Sequence, residues 1–208
     1  MQLFVLCPNS DPAQQALAAR EHFDSHVVKI PLEVAQLLSI LLHVLLPEQA
    51  DDWHAAGSIY KYAKSYAKHP CMLWMLESRD NVDWACAYGL ALCEEYWLRY
   101  GKEHKKGPRR HSCEAVIKFV QQNVPNSMPR LGRTEFAQAI PENLRVTGNA
   151  VEAYRAYYQS VDKAHLRKWK HNSPPAWFSD PVCVPKSPQK RTRDANAVDD
   201  ISPKRARM

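Results

Sequence analysis

Glycine is scarce in this chain of 208 residues, and its cysteines follow no metal-binding pattern. The sequence has six Gly but fifteen Pro, which predicts few tight hairpins. Its six Cys form no Cys-x-x-Cys pair, and no Cys and His stand at metal-ligand spacing, which argues against a zinc site. We therefore expect reduced, buried thiols in a cytosolic or nuclear protein, with no metal and no cofactor.

Targeting and nucleotide-binding signals are also missing. The N-terminus lacks the basic segment and the apolar run of a secretion signal. The apolar stretch 30–46 covers seventeen residues and includes Glu33, Gln36 and His43, so it is short and polar for a membrane span. We interpret it as a core helix and expect no membrane partner. No Gly-rich phosphate loop is present, which disfavours nucleotide kinase chemistry.

The remaining pattern is helical, and it predicts an all-α, compact single-domain bundle over residues 1–178 with a disordered tail over 179–208. Residues 3–6 are at most a short strand. Asn149 with Glu152 forms a capping box that opens the last helix. Helices are expected over about 12–21, 24–46, 71–104 with a break near Ser78, 112–122, a single turn near 134–139, and 150–171.

A polar stripe runs through the most apolar helix. It consists of His26, Lys29, Glu33, Gln36 and His43, whose spacing places them on one helical face. Burying Lys29 and Glu33 is costly unless each finds a partner, and their spacing of four allows them to pair. With Asp24 nearby, this inventory suits acid–base or Schiff-base chemistry. The alternative is a buried ion-pair network or a solvent-facing side of the helix.

Three further clusters combine rings with polar groups. One helical face carries Trp74, Glu77, Asn81, Trp84 and Tyr88, which fits core packing or a ligand-binding face. A second cluster contains Glu94, Glu95, Arg99, Tyr100 and His104, where Glu95 and Arg99 predict an ordinary helical ion pair. The last helix interleaves aromatic and basic residues: Tyr154, Arg155, Tyr158, His165, Arg167, Lys168 and Trp169. That pattern suits phosphates and stacked bases, or long side chains that cover rings on a surface helix.

Half of the net charge of +6 belongs to the tail, which holds seven Lys or Arg and four Asp. Its basic clusters, separated by twelve residues, predict a bipartite nuclear localisation signal that an import receptor reads: Lys190, Arg191, Lys204, Arg205 and Arg207. A solvated tail that contacts DNA non-specifically is the alternative. The rest of the chain is mildly basic, which suggests contact with nucleic acid.

Several separated segments together resemble one family. They are 3–6, 24–29, 32–38, His69-Pro70 with Trp74, 93–96, 99–102 with His104, 136–139 before Pro141, Tyr154-Arg155 with Tyr157-Tyr158, and 168–170 before Pro175 and Trp177. The chain looks like a group of small helical proteins of large DNA viruses and phages, labelled pyrimidine dimer DNA glycosylase-like. The resemblance covers about residues 1–178.

The resemblance implies a DNA repair glycosylase with lyase activity. In the well-understood branch, the α-amine at the start of the mature chain attacks the sugar C1′ as a Schiff-base nucleophile, helped by a Glu. Glu21, after Arg20, lies at about the right distance from the start to supply the Glu. Because Met is usually removed only before small residues and Gln2 is large, Lys29 beside Glu33 is an internal substitute for the amine.

We therefore expect a DNA-repair or base-modifying protein of the nucleus, with DNA as a partner. Lys29 or the N-terminal amine is the candidate nucleophile, Glu33 or Glu21 the carboxylate, and His26 and Asp24 the orienting groups. Candidate substrate-binding residues are His69, Trp74, Glu77, Asn81, Arg99, Tyr100, His104, Gln138, Arg155, Tyr158 and Trp169, with phosphates held by Arg99, His104, Arg155 and the loop 102–110. The alternatives are a non-catalytic nuclear DNA-binding protein on the same fold, and an enzyme acting on a free nucleotide or other small metabolite.

Overall fold

The computed structural model describes residues 2–9 and 11–179, and these form an all-α fold without a strand. The tail predictions for 180–208, including the localisation signal, lie outside the described residues. The helices are α1 (Pro12–Glu21), α2 (Asp24–Leu45), α3 (Pro47–Ala55), α4 (Pro70–Glu77), α5 (Arg79–Tyr96), α6 (Cys113–Asn123) and α7 (Ala150–Gln159). A π-helical turn over Trp97–Gly101 extends α5, and 3-10 turns cover Lys64–Tyr66, Glu142–Leu144 and Val161–Leu166.

Helix α2 is the centre of the core because it is apolar on nearly every side. It contacts α3, α4, α5 and α6. Pro31 lies inside α2 rather than in its first turn. By length and composition α2 could cross a membrane, but 72% of its apolar stretch is buried inside the protein. The structure therefore agrees with its interpretation as a core helix.

Local capping signals set several helix ends. Ser78 separates α4 from α5, and its Oγ accepts the N–H of Asp80. Asn149 caps α7 by accepting the N–H of Glu152 at 3.1 Å, which confirms the predicted cap. The reciprocal bond of a capping box is absent here, because the backbone N–H of Asn149 donates to the carbonyl of Val146 and Glu152 accepts from the Asn149 side chain instead. Asp24 is the first residue of α2 rather than its cap, which is Phe23.

Two predicted helical segments are wrong. Helix α7 ends at Gln159 rather than near His171, and the chain continues through a 3-10 turn into irregular backbone. The predicted turn at 134–139 is not helical, because side chains take up its backbone groups, as when Asn81 Oδ1 accepts the N–H of Thr134. Trp177 does fold back onto the core, as expected.

The segment 3–6 is buried but is no strand. In place of a neighbouring strand, the hydroxyl of Tyr88 on α5 accepts the N–H of Phe4 at 3.2 Å. The N-terminal segment therefore packs against the helices one side chain at a time.

The thiols of the described cysteines are free, and four of them are buried: Cys71, Cys86, Cys93 and Cys113. Burial raises the pKa of Cys71 to about 11 and that of Cys86 to about 12. Both thiols are therefore protonated at neutral pH and pack as small apolar groups.

Gly89 lets α5 approach its neighbours closely. A Cβ at this position would lie 2.8 Å from Val34 Cγ1 on α2 and 2.9 Å from Ile117 Cδ1 on α6. We expect Gly89→Ala to lower the free energy of unfolding by about 1–3 kcal/mol through overpacking, although Ala is the better helix former. Urea denaturation measures the change, and equal or higher stability would contradict the close approach.

Candidate active site

Glu33 is the centre of the polar stripe. It is 8% exposed, and each carboxylate oxygen has an N–H donor. Lys29 Nζ lies 2.9 Å from Oε1, and the backbone N–H of Gln2 donates to Oε2 at 2.8 Å. The Gln2 side chain also donates to the carbonyl of Ala139 at 2.7 Å, which fixes the start of the chain beside α2. The sequence predicted the Lys29–Glu33 pair but not the contact with Gln2.

A cavity of about 280 Å³ opens beside this carboxylate, and we call it the Glu33 cavity. Phe4, His26 and Glu33 line it together with Lys29 and Lys163. The side chain of Lys29 is 70% exposed, so it reaches the solvent-facing part of the cavity. The arrangement puts an amine and a carboxylate in direct contact at an open concave site.

His26 contributes a neutral ring to the Glu33 cavity. Burial, together with the charges of His22, Lys163 and Lys29, lowers the pKa of His26 to about 2. Its Nδ1 lies 2.6 Å from the hydroxyl of Tyr158. At neutral pH His26 is therefore uncharged, and its hydrogen bond is to Tyr158 rather than to Lys29 or Glu33.

Asp24 belongs to a different cluster. Its Oδ1 accepts from Arg99 Nη1 at 3.0 Å, and its Oδ2 accepts the backbone N–H of Lys170 at 2.8 Å. Arg99 also donates to Glu95 at 2.6 Å and to the carbonyl of His22 at 3.0 Å. The predicted Glu95–Arg99 pair is confirmed, but it is buried and extends to Asp24.

Arg99 cannot reach a phosphate in this arrangement. Its side chain is 1% exposed, and its guanidinium is surrounded by protein acceptors, including the carbonyl of Arg20. The prediction that Arg99 holds phosphates is therefore wrong. The residue is a buried cross-link between the end of α1, the start of α2 and the π-helical turn.

Two rings expected to stack on bases, Tyr158 and Trp74, lie in the core, and a third, Trp169, is partly buried against it. Tyr158 is fully buried and stacks on Phe23 at a centroid distance of 4.2 Å. Trp169 packs edge-on against Phe23, and its Nε1 donates to a backbone carbonyl at 3.0 Å. Trp74 is 2% exposed and contacts the ring of Trp84. Tyr158 and Trp74 therefore leave no open ring face for a base.

The polar groups near Trp74 hold a loop. Asn81 donates to Thr134 Oγ1 at 2.8 Å, and Thr134 Oγ1 donates to Glu77 at 2.5 Å. Further along the same loop, the amide of Gln138 donates to the carbonyl of Val146 and accepts its N–H. These predicted ligand-binding groups therefore fix the segment that follows α6.

The two predicted histidines outside α2 cap local turns. His69 Nδ1 accepts the N–H of Cys71 at the start of α4. His104 Nδ1 accepts the N–H of Lys106 in the loop 102–110. Neither histidine lines the Glu33 cavity.

Glu21 and Arg155 line a separate cavity of about 510 Å³. The carboxylate of Glu21 accepts from Trp177 Nε1 at 2.8 Å. Arg155 lies over the Trp177 ring at 5.0 Å and donates to the carbonyl of Leu6. Glu33, and not Glu21, is therefore the carboxylate beside Lys29.

A second cavity, of about 250 Å³, adjoins the Glu33 cavity and shares Ser25, His165 and Leu166 with it. Its other lining residues are Asp24, Tyr100, Lys168 and Lys170. We call the two cavities together the basic groove. Sequence reasoning missed Lys163 and Lys170, although the alternation in Lys168-Trp169-Lys170 was visible.

No cluster of three or more His, Cys, Asp or Glu side chains that could hold a metal ion occurs within 2–9 and 11–179. No protein-family model, curated protein or solved structure matches the chain. The resemblance given above therefore stays a prediction, and the functional argument depends on the geometry of Glu33, Lys29 and the basic groove.

Proposed function

We propose that this protein is a DNA-acting enzyme of the glycosylase and abasic-site lyase type, with its chemistry in the Glu33 cavity. One observation carries the proposal: the Glu33 carboxylate is 8% exposed, contacts an amine at 2.9 Å and borders an open cavity. Schiff-base chemistry at a sugar carbon needs an amine as nucleophile and a nearby carboxylate. The basic groove next to it suits a nucleic-acid substrate.

The reaction begins when the amine nitrogen forms a bond to C1′ of the sugar and loses a proton. The bond from C1′ to the base breaks, and the base leaves with the electron pair and takes up a proton. Breaking of the bond between C1′ and the ring oxygen then gives an imine, with a proton added to that oxygen. Loss of a proton from C2′ expels the phosphate on C3′ and cuts the strand. Glu33 is placed to accept the proton of the amine and to stabilise positive charge on the sugar.

Two nitrogens are candidates for the nucleophile, and both contact Glu33. Lys29 Nζ is the first. The second is the backbone nitrogen of Gln2, 2.8 Å from Glu33 Oε2, which would be an α-amine in a mature chain that begins at Gln2. His26, as a neutral ring in the cavity wall, would contact the sugar or base without carrying charge.

Borohydride trapping on duplex DNA with one abasic site tests the proposal. Borohydride reduces the imine to a stable amine, so wild-type protein should form a covalent adduct that migrates slowly on a denaturing gel. We expect Glu33→Gln to slow adduct formation about 100-fold, because general acid–base groups contribute at least this much. Lys29→Ala, followed by mass mapping of the adduct, identifies the nitrogen.

A matched control is Glu94→Gln, which changes an exposed carboxylate that pairs with Arg110 on the surface. This variant should form the adduct at the wild-type rate. If wild-type protein binds abasic DNA but yields neither adduct nor strand cleavage, the chemistry is excluded and a non-catalytic DNA-binding protein remains.

We also propose nuclear import through the basic clusters of the tail, on the sequence alone.

A further inference from the structure

We propose that the basic groove holds the phosphodiester backbone of the DNA strand, and that the segment 167–170 is built to present two lysines to it. The inference depends on the proposed function only for the source of the phosphates. The site differs from the one expected from the sequence, which placed phosphates on Arg99, His104, Arg155 and the loop 102–110.

The backbone of this segment is fixed on both sides of Trp169 by one residue. The N–H of Asp24 donates to the carbonyl of Lys168 at 2.9 Å. The Asp24 carboxylate accepts the N–H of Lys170 at 2.8 Å, and Arg99 binds its other oxygen. Arg99, whose side chain is 1% exposed and does not line the groove, is therefore a positioning residue. Asp24 lines the groove and holds the segment through its backbone N–H and its carboxylate.

The side chains of the segment divide between core and groove. Trp169 is partly buried, packs against Phe23 and Phe178, and donates to the carbonyl of Glu21. Lys168 and Lys170, on either side of Trp169, are exposed and line the groove.

The unpaired charge that lines the groove is cationic. Its two carboxylates are already paired, Glu33 with Lys29 and Asp24 with Arg99. Within the part of the chain that the structure describes, the ammonium groups of Lys163, Lys168 and Lys170 are in no ion pair.

Lys163 lines the Glu33 cavity. Its Nζ lies over the rings of Phe4 and Tyr157, at 5.2 and 4.5 Å from their centroids. Three cations along one concave surface attract a polyanion. A strand lying on these cations would have a sugar next to the Glu33 cavity.

A pair of double variants tests the groove in the full chain. Lys168→Ala with Lys170→Ala removes two groove charges, and Lys61→Ala with Lys68→Ala removes two exposed charges from the loop between α3 and α4. Both variants lose the same net charge, so only the position differs. The probe is a fluorescent duplex with a reduced abasic site, which binds without reacting, and anisotropy gives Kd at several salt concentrations.

We expect the groove variant to weaken binding about tenfold, and to reduce the slope of log K against log salt by about 2, since each phosphate contact contributes about 0.9. The loop variant should change the slope by less than about 0.5. Unchanged thermal unfolding of both variants shows that the fold is intact. Equal losses in the two variants, or no loss in the groove variant, would overturn the inference.

Two further measurements distinguish a DNA-binding groove from a site for free phosphate, and the groove from the proposed chemistry. Inorganic phosphate should displace the duplex no better than sodium chloride at equal ionic strength, and stronger displacement would assign the groove to free phosphate instead. The trapping experiment reports separately on the chemistry. If no adduct forms but the groove variant loses binding, the proposed lyase chemistry is contradicted and the phosphate-binding groove is supported. If an adduct forms and the groove variant binds normally, the chemistry is supported and the groove is contradicted.

Discussion

Arg99→Met is expected to lower the free energy of unfolding by about 3–5 kcal/mol, because it removes one partner from a buried charge cluster. The guanidinium side chain is 1% exposed and contacts Glu95 and Asp24 at 2.6 and 3.0 Å. Met fills a similar volume, so the loss reports mainly on the two carboxylates and the backbone carbonyls left without a donor. Urea denaturation at neutral pH gives the change.

The control for this prediction is Arg110→Met. Arg110 also forms two ion pairs, with Glu94 and Glu114, but its side chain is 44% exposed. We expect a loss below about 1 kcal/mol, as is usual for ion pairs at a surface. A similar loss in both variants would mean that burial does not set the strength of the Arg99 cluster.

The same cluster links stability to the basic groove. Asp24 bridges Arg99 and the backbone of Lys170, and Asn172 donates to Glu95 at 2.8 Å. A buried ion pair seldom adds net stability over apolar packing. Its value here lies in position, because it fixes the segment 167–170, which belongs to no helix.

Features set by short stretches of sequence could be predicted. The all-α class, the helix cap at Asn149, the break at Ser78 and the pairs Lys29–Glu33 and Glu95–Arg99 all follow from residues at most four apart. Hydrophobic periodicity and capping chemistry act at this range. They do not depend on the rest of the fold.

Features set by contacts between distant residues could not be predicted. The contact between Gln2 and Glu33 spans 31 residues, and the one between Asp24 and Lys170 spans 146. The interleaved basic and aromatic residues between 154 and 169 were interpreted as one helix. In the structure the helix ends at Gln159, and Trp169 turns into the core while its neighbours face the groove.

Acid is expected to destabilise the protein through two buried histidines. In the unfolded chain each imidazole binds a proton as the pH falls through about 6.5. In the folded protein, burial lowers the pKa of His22 to about 4 and that of His26 to about 2. The unfolded chain therefore binds more protons in this window, so the free energy of unfolding decreases as the pH falls below about 6.5.

The stabilisation from each neutral ring is fully present above about pH 6.5. The contribution of His22 stops falling below about pH 4, and that of His26 continues to about pH 2. Well inside the window each ring gives a slope of about 1.4 kcal/mol per pH unit, and the two together give about 2.7. Glu114, whose pKa is lowered by Arg110, contributes only near and below its ordinary titration range, so measurements between about pH 5 and 6.5 report on histidines. His111, whose pKa is also lowered by burial, adds to the slope in this window.

His26→Phe tests this assignment, because it removes one titrating ring and keeps an aromatic ring between Phe4 and Phe23. Urea denaturation at a series of pH values should show a slope lower than that of the wild type by about 1.4 kcal/mol per pH unit. Tyr158→Phe is the matched control, since it deletes the hydroxyl bonded to His26 Nδ1 and leaves the titrating group in place, so its slope should persist even though its stability falls. An undiminished slope in His26→Phe would mean that His26 is hydrated and charged in the folded state, and it would remove the neutral ring from the wall of the Glu33 cavity.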